Sequence, residues 1–285
     1  MRLSLYDALF AAVVNLYGQQ ARRTISRVTL AGGLASVLFW PLGAFLLTMM
    51  SWREALLVYA LLGLFSALLL WRMPNARRPA AIRPEAHRPA SRQQRQVALL
   101  YAALIALVTF VSNGTSTHLP EFIAHYGLPV AAGMLWGIGQ TGARFLEVAS
   151  GSVLTPLRLT LLTTLLMPVC FALGLSGPYL LGTAGGFVLG YGAINGLTTV
   201  FKATLPLELF AAEDYARRTG ILLIPAQLLA AASPFAYAWL TQQFGVQGSL
   251  GFSAALTLVV AGLALAIARS QSRRPPETMP AAIDS

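Results

Sequence analysis

Residues 71–95, WRMPNARRPAAIRPEAHRPASRQQR, form the one long polar interval in a sequence that is otherwise almost continuously apolar. The stretch holds seven arginines, four prolines and a single acid, Glu85. Proline at that density removes backbone donors and fixes φ, and so much charge opposes burial, so the interval reads as a solvated linker between two packed blocks. Three apolar runs precede it and six follow it.

Working outward, the composition sets the class. The chain of 285 residues is 56% hydrophobic and 11% charged, with mean hydropathy +0.65. Soluble domains carry about 25% charged residues. Crossing the hydrocarbon layer takes ~20 apolar residues, and the runs at 5–16, 28–50, 56–70, 97–112, 131–148, 157–175, 179–201, 220–240 and 250–268 give about nine crossings with short loops. The expectation is an all-α membrane protein of three plus six spans. It divides into a partial N-terminal bundle (1–72), a cytoplasmic linker (73–96), a six-span bundle (97–269) and a cytoplasmic tail (270–285). Small residues four apart, Gly32 and Ser36 in the second run and Gly182, Gly186 and Gly190 in the seventh, suit close helix contact in lipid. The single cysteine, Cys170, lies inside an apolar run, which leaves no disulfide framework and no cysteine metal site.

A net charge of +10 invites a nucleic-acid reading, but the positions of the charges argue against it. Eighteen of the twenty basic residues fall on one side of the nine-span arrangement, and only Arg2 and Arg53 on the other. Cytoplasmic loops collect lysine and arginine, so linker and C-terminus are expected in the cytoplasm and the N-terminus outside. Neither nucleic acid nor a cofactor is expected as a partner; the lipid bilayer is.

A charge at the bilayer centre costs ~2.5–3.5 kcal/mol even on the lenient insertion scale, so polar residues inside runs mark candidate sites. Gln140, Arg144 and Glu147 share one helix face by their spacing. Gln140 falls near mid-membrane, where it would hydrogen-bond a substrate. Arg144 and Glu147 approach the cytoplasm, either as a charge pair that breaks when the protein opens or as an interfacial pair serving insertion. Asn195, Thr199 and Lys202 repeat the pattern. Lys202 would pair with Glu208 or Glu147, or act as a topological anchor. Trp40, Tyr191 and Gln227 sit at depths suited to a cavity wall or to packing, and Asn113, Thr117 and His118 would form an outer vestibule or a solvated loop. For proton coupling only Asp7 and Glu147 offer an acid within a run. There is no H-E-x-x-H zinc motif and no Ser/His pair at membrane depth, so an intramembrane enzyme is excluded.

The passage LYDALFAAVVNLYGQQARRTISRVTLAGGLASVLFWPLGAFLLTMMSWREALLVYALL resembles the fourth to sixth spans of bacterial major facilitator superfamily transporters, and GLTTVFKATLPLELFAAEDYARRTG resembles the end of their tenth span. The basic linker resembles the connection between their six-span halves, and GARFLE, with Gly142, Arg144 and Glu147, resembles a weak copy of their loop signature. FWPLG around Pro41 does not reproduce the antiporter proline motif. The resemblance implies an alternating-access transporter of a small solute, possible efflux included, in a bacterial inner membrane, whose first three spans are not in this sequence. The alternative is a shortened, non-transporting remnant or a membrane interaction protein.

Overall fold

The computed structural model describes residues 6–18, 21–72, 92–151, 153–177, 182–210 and 215–272. These form the helices α1 (Tyr6–Tyr17), α2 (Ala21–Met49), α3 (Trp52–Trp71), α4 (Arg92–His125), α5 (Gly133–Ala149), α6 (Pro156–Ser176), α7 (Thr183–Leu209), α8 (Tyr215–Leu222) and α9 (Ile224–Ser272). A 3-10 turn, Val130–Ala132, leads into α5. Residues 73–91, most of the expected linker, lie outside the described residues. Its last turn does not: α4 starts at Arg92, five residues before the apolar run, because no proline stands between Pro89 and that run and Arg92, Gln93 and Gln94 are exposed, good helix formers. The eighth and ninth runs emerge as two arms of α9. Gly245, with φ 69 and ψ −179, breaks the helix between them, a conformation that glycine alone adopts readily.

Local chemistry explains the helix starts. Ser51 and Glu54 build a reciprocal cap on α3: the Glu54 carboxylate accepts from Ser51 N–H at 2.8 Å and from Ser51 Oγ at 2.9 Å. Thr155 caps α6, accepting from the Arg158 N–H at 3.2 Å, with Pro156 in the first turn. Most buried Ser and Thr hydroxyls donate to the carbonyl three or four residues back on their own helix, as Thr163 does to Leu159 and Ser253 to Ser249. This satisfies them without water.

Among the described residues, four segments are long and apolar enough to cross a membrane: Trp52–Leu69, Arg92–His125, Pro156–Ser176 and Arg218–Ser272. The last, at 55 residues, exceeds the ~20 residues of one crossing and is broken at Gly245. The main core is built from α4, α6, α7 and α9. Phe171, Phe187 and Tyr191 form its aromatic centre, with ring centroids 5.7 to 6.2 Å apart. A smaller cluster joins Phe10, Val13 and Val14 of α1 to Ala21 and Ile25 of α2 and to Ala203 and Leu207 of α7.

Helix α4 serves as the clamp of the larger bundle. A proline inside a helix leaves the carbonyl four residues earlier without its donor. Pro206 frees Lys202 O in this way, and the Tyr101 hydroxyl of α4 donates to it at 2.9 Å. Pro234 frees Ala230 O, and Asn113 Nδ2 of α4 donates to it at 3.3 Å. Replacing Tyr101 by Phe is expected to cost about 1 kcal/mol, the net value of one such bond, read as a lowered unfolding midpoint in detergent.

Helices α5 and α7 approach backbone to backbone, but not along the expected ridge. A Cβ on Gly186 would meet nothing within 4 Å, and one on Gly190 only Cys170 Sγ at 3.3 Å, while Gly182 holds the left-handed conformation at the helix start. The close face lies one turn on. A Cβ on Gly139 would sit 2.0 Å from Leu189 O, one on Gly192 2.1 Å from Trp136 O, and one on Gly196 2.5 Å from Gln140 O. Small residues on both helices allow this approach, and van der Waals packing then holds the pair in lipid. On α2, Gly33 admits a side chain of α5: a Cβ there would lie 2.8 Å from Arg144 Nη1.

Candidate functional site

Residues 22, 26, 29 and 33 recur along one face of α2 and meet residues 141, 144 and 147 of α5. At the top of this seam Thr141 Oγ1 donates to Gly33 O at 3.0 Å. Below it, Arg144 reaches in three directions: Nη1 donates to Thr29 O at 3.0 Å, Nε to Gly196 O at 3.2 Å and Nη2 to Thr199 Oγ1 at 3.1 Å. One guanidinium therefore joins α2, α5 and α7. Its planar fork of five donors suits this task, and an ammonium would not reproduce it. Further down, Arg22 Nη2 lies 3.8 Å from Glu147 Oε1 and also donates to Leu154 O in the connection after α5.

The seam is dry. Arg144 is 3% exposed and Glu147 4%. The ion pair that Glu147 makes runs across to Arg22 of α2, while its neighbour Arg144 is directed to backbone carbonyls and a threonine. Thus both members of the expected pair bind outward, to the other side of the linker. Ion pairing between Arg22 and Glu147 is loose, and Arg22 is partly open to solvent, its side chain 22% exposed. A double-mutant cycle with Arg22→Ala and Glu147→Ala is expected to give a coupling of about 1 kcal/mol in unfolding free energy.

The remaining candidates fall elsewhere. Gln140 is buried, two turns above Glu147 on α5, with Gly196 of α7 packed on its backbone. Asn195 and Gln227 are half-buried, and the Asn195 carbonyl accepts from Thr199 Oγ1 at 3.2 Å. Tyr191 is fully buried; its hydroxyl donates to Ser112 O at 2.6 Å and bonds Ser116 Oγ at 2.8 Å, which makes it a core residue linking α7 to α4. Asn113 donates to the Ala230 carbonyl that Pro234 leaves without its helical donor, and His118 bonds Glu121 Oε2 at 3.0 Å and Pro234 O at 3.1 Å. Glu208 accepts from the Leu157 N–H at 2.9 Å, at the first turn of α6, and Lys202 is half-buried on α7. Trp40 belongs to α2, but its side chain, like that of Asp7, is outside the described residues. Among those residues no cluster of His, Cys, Asp or Glu could hold a metal.

A helical bundle with apolar outer faces and segments long and apolar enough to cross a bilayer is an integral membrane protein. A family model for the Major Facilitator Superfamily matches residues 4–204, and the chain belongs to that family, whose members are secondary transporters and not enzymes. The match spans the seam from both sides, since it includes α2, α5 and nearly all of α7. No curated protein matches the chain.

Proposed function

We propose that the chain moves a small solute across a bacterial inner membrane by alternating access, with the α2–α5 seam as its closure on the cytoplasmic side. Nine crossings, with linker and C-terminus in the cytoplasm, follow from the run lengths and the arginine bias. The carrying observation is the Arg144 guanidinium, which reaches from α5 to the Thr29 carbonyl, 115 residues away and across the linker. Hydrogen bonds to carbonyls suit a surface that must part repeatedly. Each helical carbonyl keeps its own backbone donor when the seam opens, so opening costs the guanidinium bonds and leaves no orphaned main chain. When the blocks rock about a central site, that face becomes the cytoplasmic entrance.

Gln140 sits next above the seam on the same face of α5, and Asn195 on the facing part of α7; these two are the proposed substrate contacts, with Gln227 and Trp40 as further cavity-wall candidates. Lys202 and Glu208 serve as cytoplasmic-end charges. Purified protein reconstituted in vesicles and screened with labelled small solutes tests this reading. The expected result is saturable flux of one solute class, reduced by Gln140→Ala through a raised KM. Absence of flux for every solute, from protein shown to be folded, would overturn it.

A further inference from the structure

Two helices of the larger bundle end together in a patch of one sign. At the start of α4, Gln93 Nε2 donates to Ser270 O in the last turn of α9 at 3.1 Å, which pins the two ends to each other. Arg92 and Arg269 each stand one residue from that bond, and Arg95 follows Arg92 within the same turn. All three are exposed. The first turn of α4 holds no acid, and residues 269–272 of α9 hold none either. The acids whose side chains are described are engaged elsewhere: Glu54 by Ser51, Glu121 by His118, Glu147 by Arg22 and Glu208 by the Leu157 N–H. The three guanidiniums therefore have no ion-pair partner among the described residues. Each helix also places an apolar stripe under its arginines. On α4 the exposed positions 92, 95, 99 and 103 share one face, so Leu99, 68% exposed, and Ala103 lie beneath the guanidiniums. On α9 the exposed positions 258, 262, 265 and 269 do the same, with Leu258, Gly262 and Leu265 beneath Arg269. Helix α4 runs five residues past its apolar run, about 7 Å along the axis, and the headgroup layer on each side of the hydrocarbon is ~5–7 Å deep. Arg92 is thereby carried to phosphate depth, and the flexible stems of Arg95 and Arg269 reach the same level.

We propose that the joined ends of α4 and α9 bind an anionic phospholipid, whose phosphodiester is held by Arg92, Arg95 and Arg269 and whose acyl chains lie along the Leu99 and Leu265 stripes. A guanidinium fork matches phosphate oxygens two at a time. Three forks with no acid among them favour a headgroup of net negative charge over a zwitterionic one, whose own ammonium they repel. The stripes favour a lipid over a free phosphate, which gains nothing from apolar surface. Bound there, the phosphate bridges α4 to α9 and adds to the Gln93 bond. The site lies apart from the α2–α5 seam and does not depend on transport.

Native mass spectrometry of the purified full chain, titrated with dioleoyl phosphatidylglycerol or dioleoyl phosphatidylcholine, reads the binding of the first lipid. Phosphatidylglycerol is expected to bind about a hundredfold more tightly, at about fivefold for each arginine at the surface. Arg92→Ala, Arg95→Ala and Arg269→Ala together should erase that preference. Arg92→Lys, Arg95→Lys and Arg269→Lys keep the charge and lose the planar fork, so part of the preference should survive. An equal loss of charge elsewhere, through the exposed Arg23→Ala, Arg27→Ala and Arg158→Ala, should leave it in place. Equal weakening by the two alanine sets would mean a diffuse attraction of the whole basic surface and would overturn the site. Equal affinity of the unaltered chain for the two lipids would overturn it as well. Displacement of phosphatidylglycerol by an excess of inorganic phosphate would mark a free-anion site with no use for acyl chains, against the lipid assignment.

Discussion

Gly192→Ala is expected to destabilise the protein by about 3 kcal/mol, near the top of the range for overpacked sites. The added methyl would lie 2.1 Å from Trp136 O and 2.8 Å from its Cα, a position no real Cβ occupies. Both nearest atoms are backbone, so no side chain can swing away and α7 must move off α5 as a whole. That movement also carries Gly196 O away from Arg144 Nε, so the damage reaches the seam. Gly186→Ala on the same helix is the matched control. Its methyl would meet nothing within 4 Å, so it should be neutral or stabilising by about 0.5 kcal/mol through the better helix propensity of alanine. Thermal unfolding in one detergent distinguishes the two. Equal midpoints would show that α5 and α7 are not packed through their glycines.

Arg144→Ala is the second large effect, and it separates stability from conformation. The substitution removes three donors at once, to Thr29 O, Gly196 O and Thr199 Oγ1. Bonds from a charged donor are worth ~1.5–3 kcal/mol each in net terms, but the two carbonyls retain their helical partners and water can enter once the side chain is gone. Of the three, only the Thr29 bond crosses to α2, so a loss of about 2 kcal/mol in favour of the open seam is expected, on the order of thirtyfold in the closed-to-open ratio. Arg144→Lys should recover little, because a single ammonium cannot span three acceptors on different helices. Thiol labelling at Thr29→Cys, otherwise shielded, should accelerate by a similar factor. An unchanged labelling rate in Arg144→Ala would mean that the guanidinium does not hold α2.

The all-helical membrane class was legible in the sequence because membrane insertion is written in long, cheap signals; among the described residues four segments are long and apolar enough to cross. Run length, the arginine-rich interval and the one-sided distribution of basic residues each follow from the cost of burying charge in hydrocarbon, and the helices found occupy the nine runs. What escaped was anything decided by rotation of a helix about its axis. The glycines at 182, 186 and 190 have the right spacing, yet Gly192 and Gly196 face α5, since phase depends on the packing partner and not on the helix alone.

The seam was half legible. Arg144 and Glu147 stand out as buried-charge candidates, and their shared face is evident from spacing. Their partners do not stand out, because Thr29 and Gly33 take part through main-chain oxygens, which every residue has. Arg22 was counted with the cytoplasmic charges, and only the spacing of 22, 26, 29 and 33 on α2 hinted at a second role. Asn113 and Tyr101 were obscured for a related reason: each answers a carbonyl freed by a proline on another helix, a pairing that no local pattern announces.

The central claim is that α2 must leave α5 for a solute to pass. A cleavable bis-methanethiosulfonate cross-linker between Arg23→Cys and Val153→Cys, applied in vesicles that show solute flux, tests it directly. Flux should stop on cross-linking and return when the linker is reduced; flux that continues through a cross-linked seam would contradict the account.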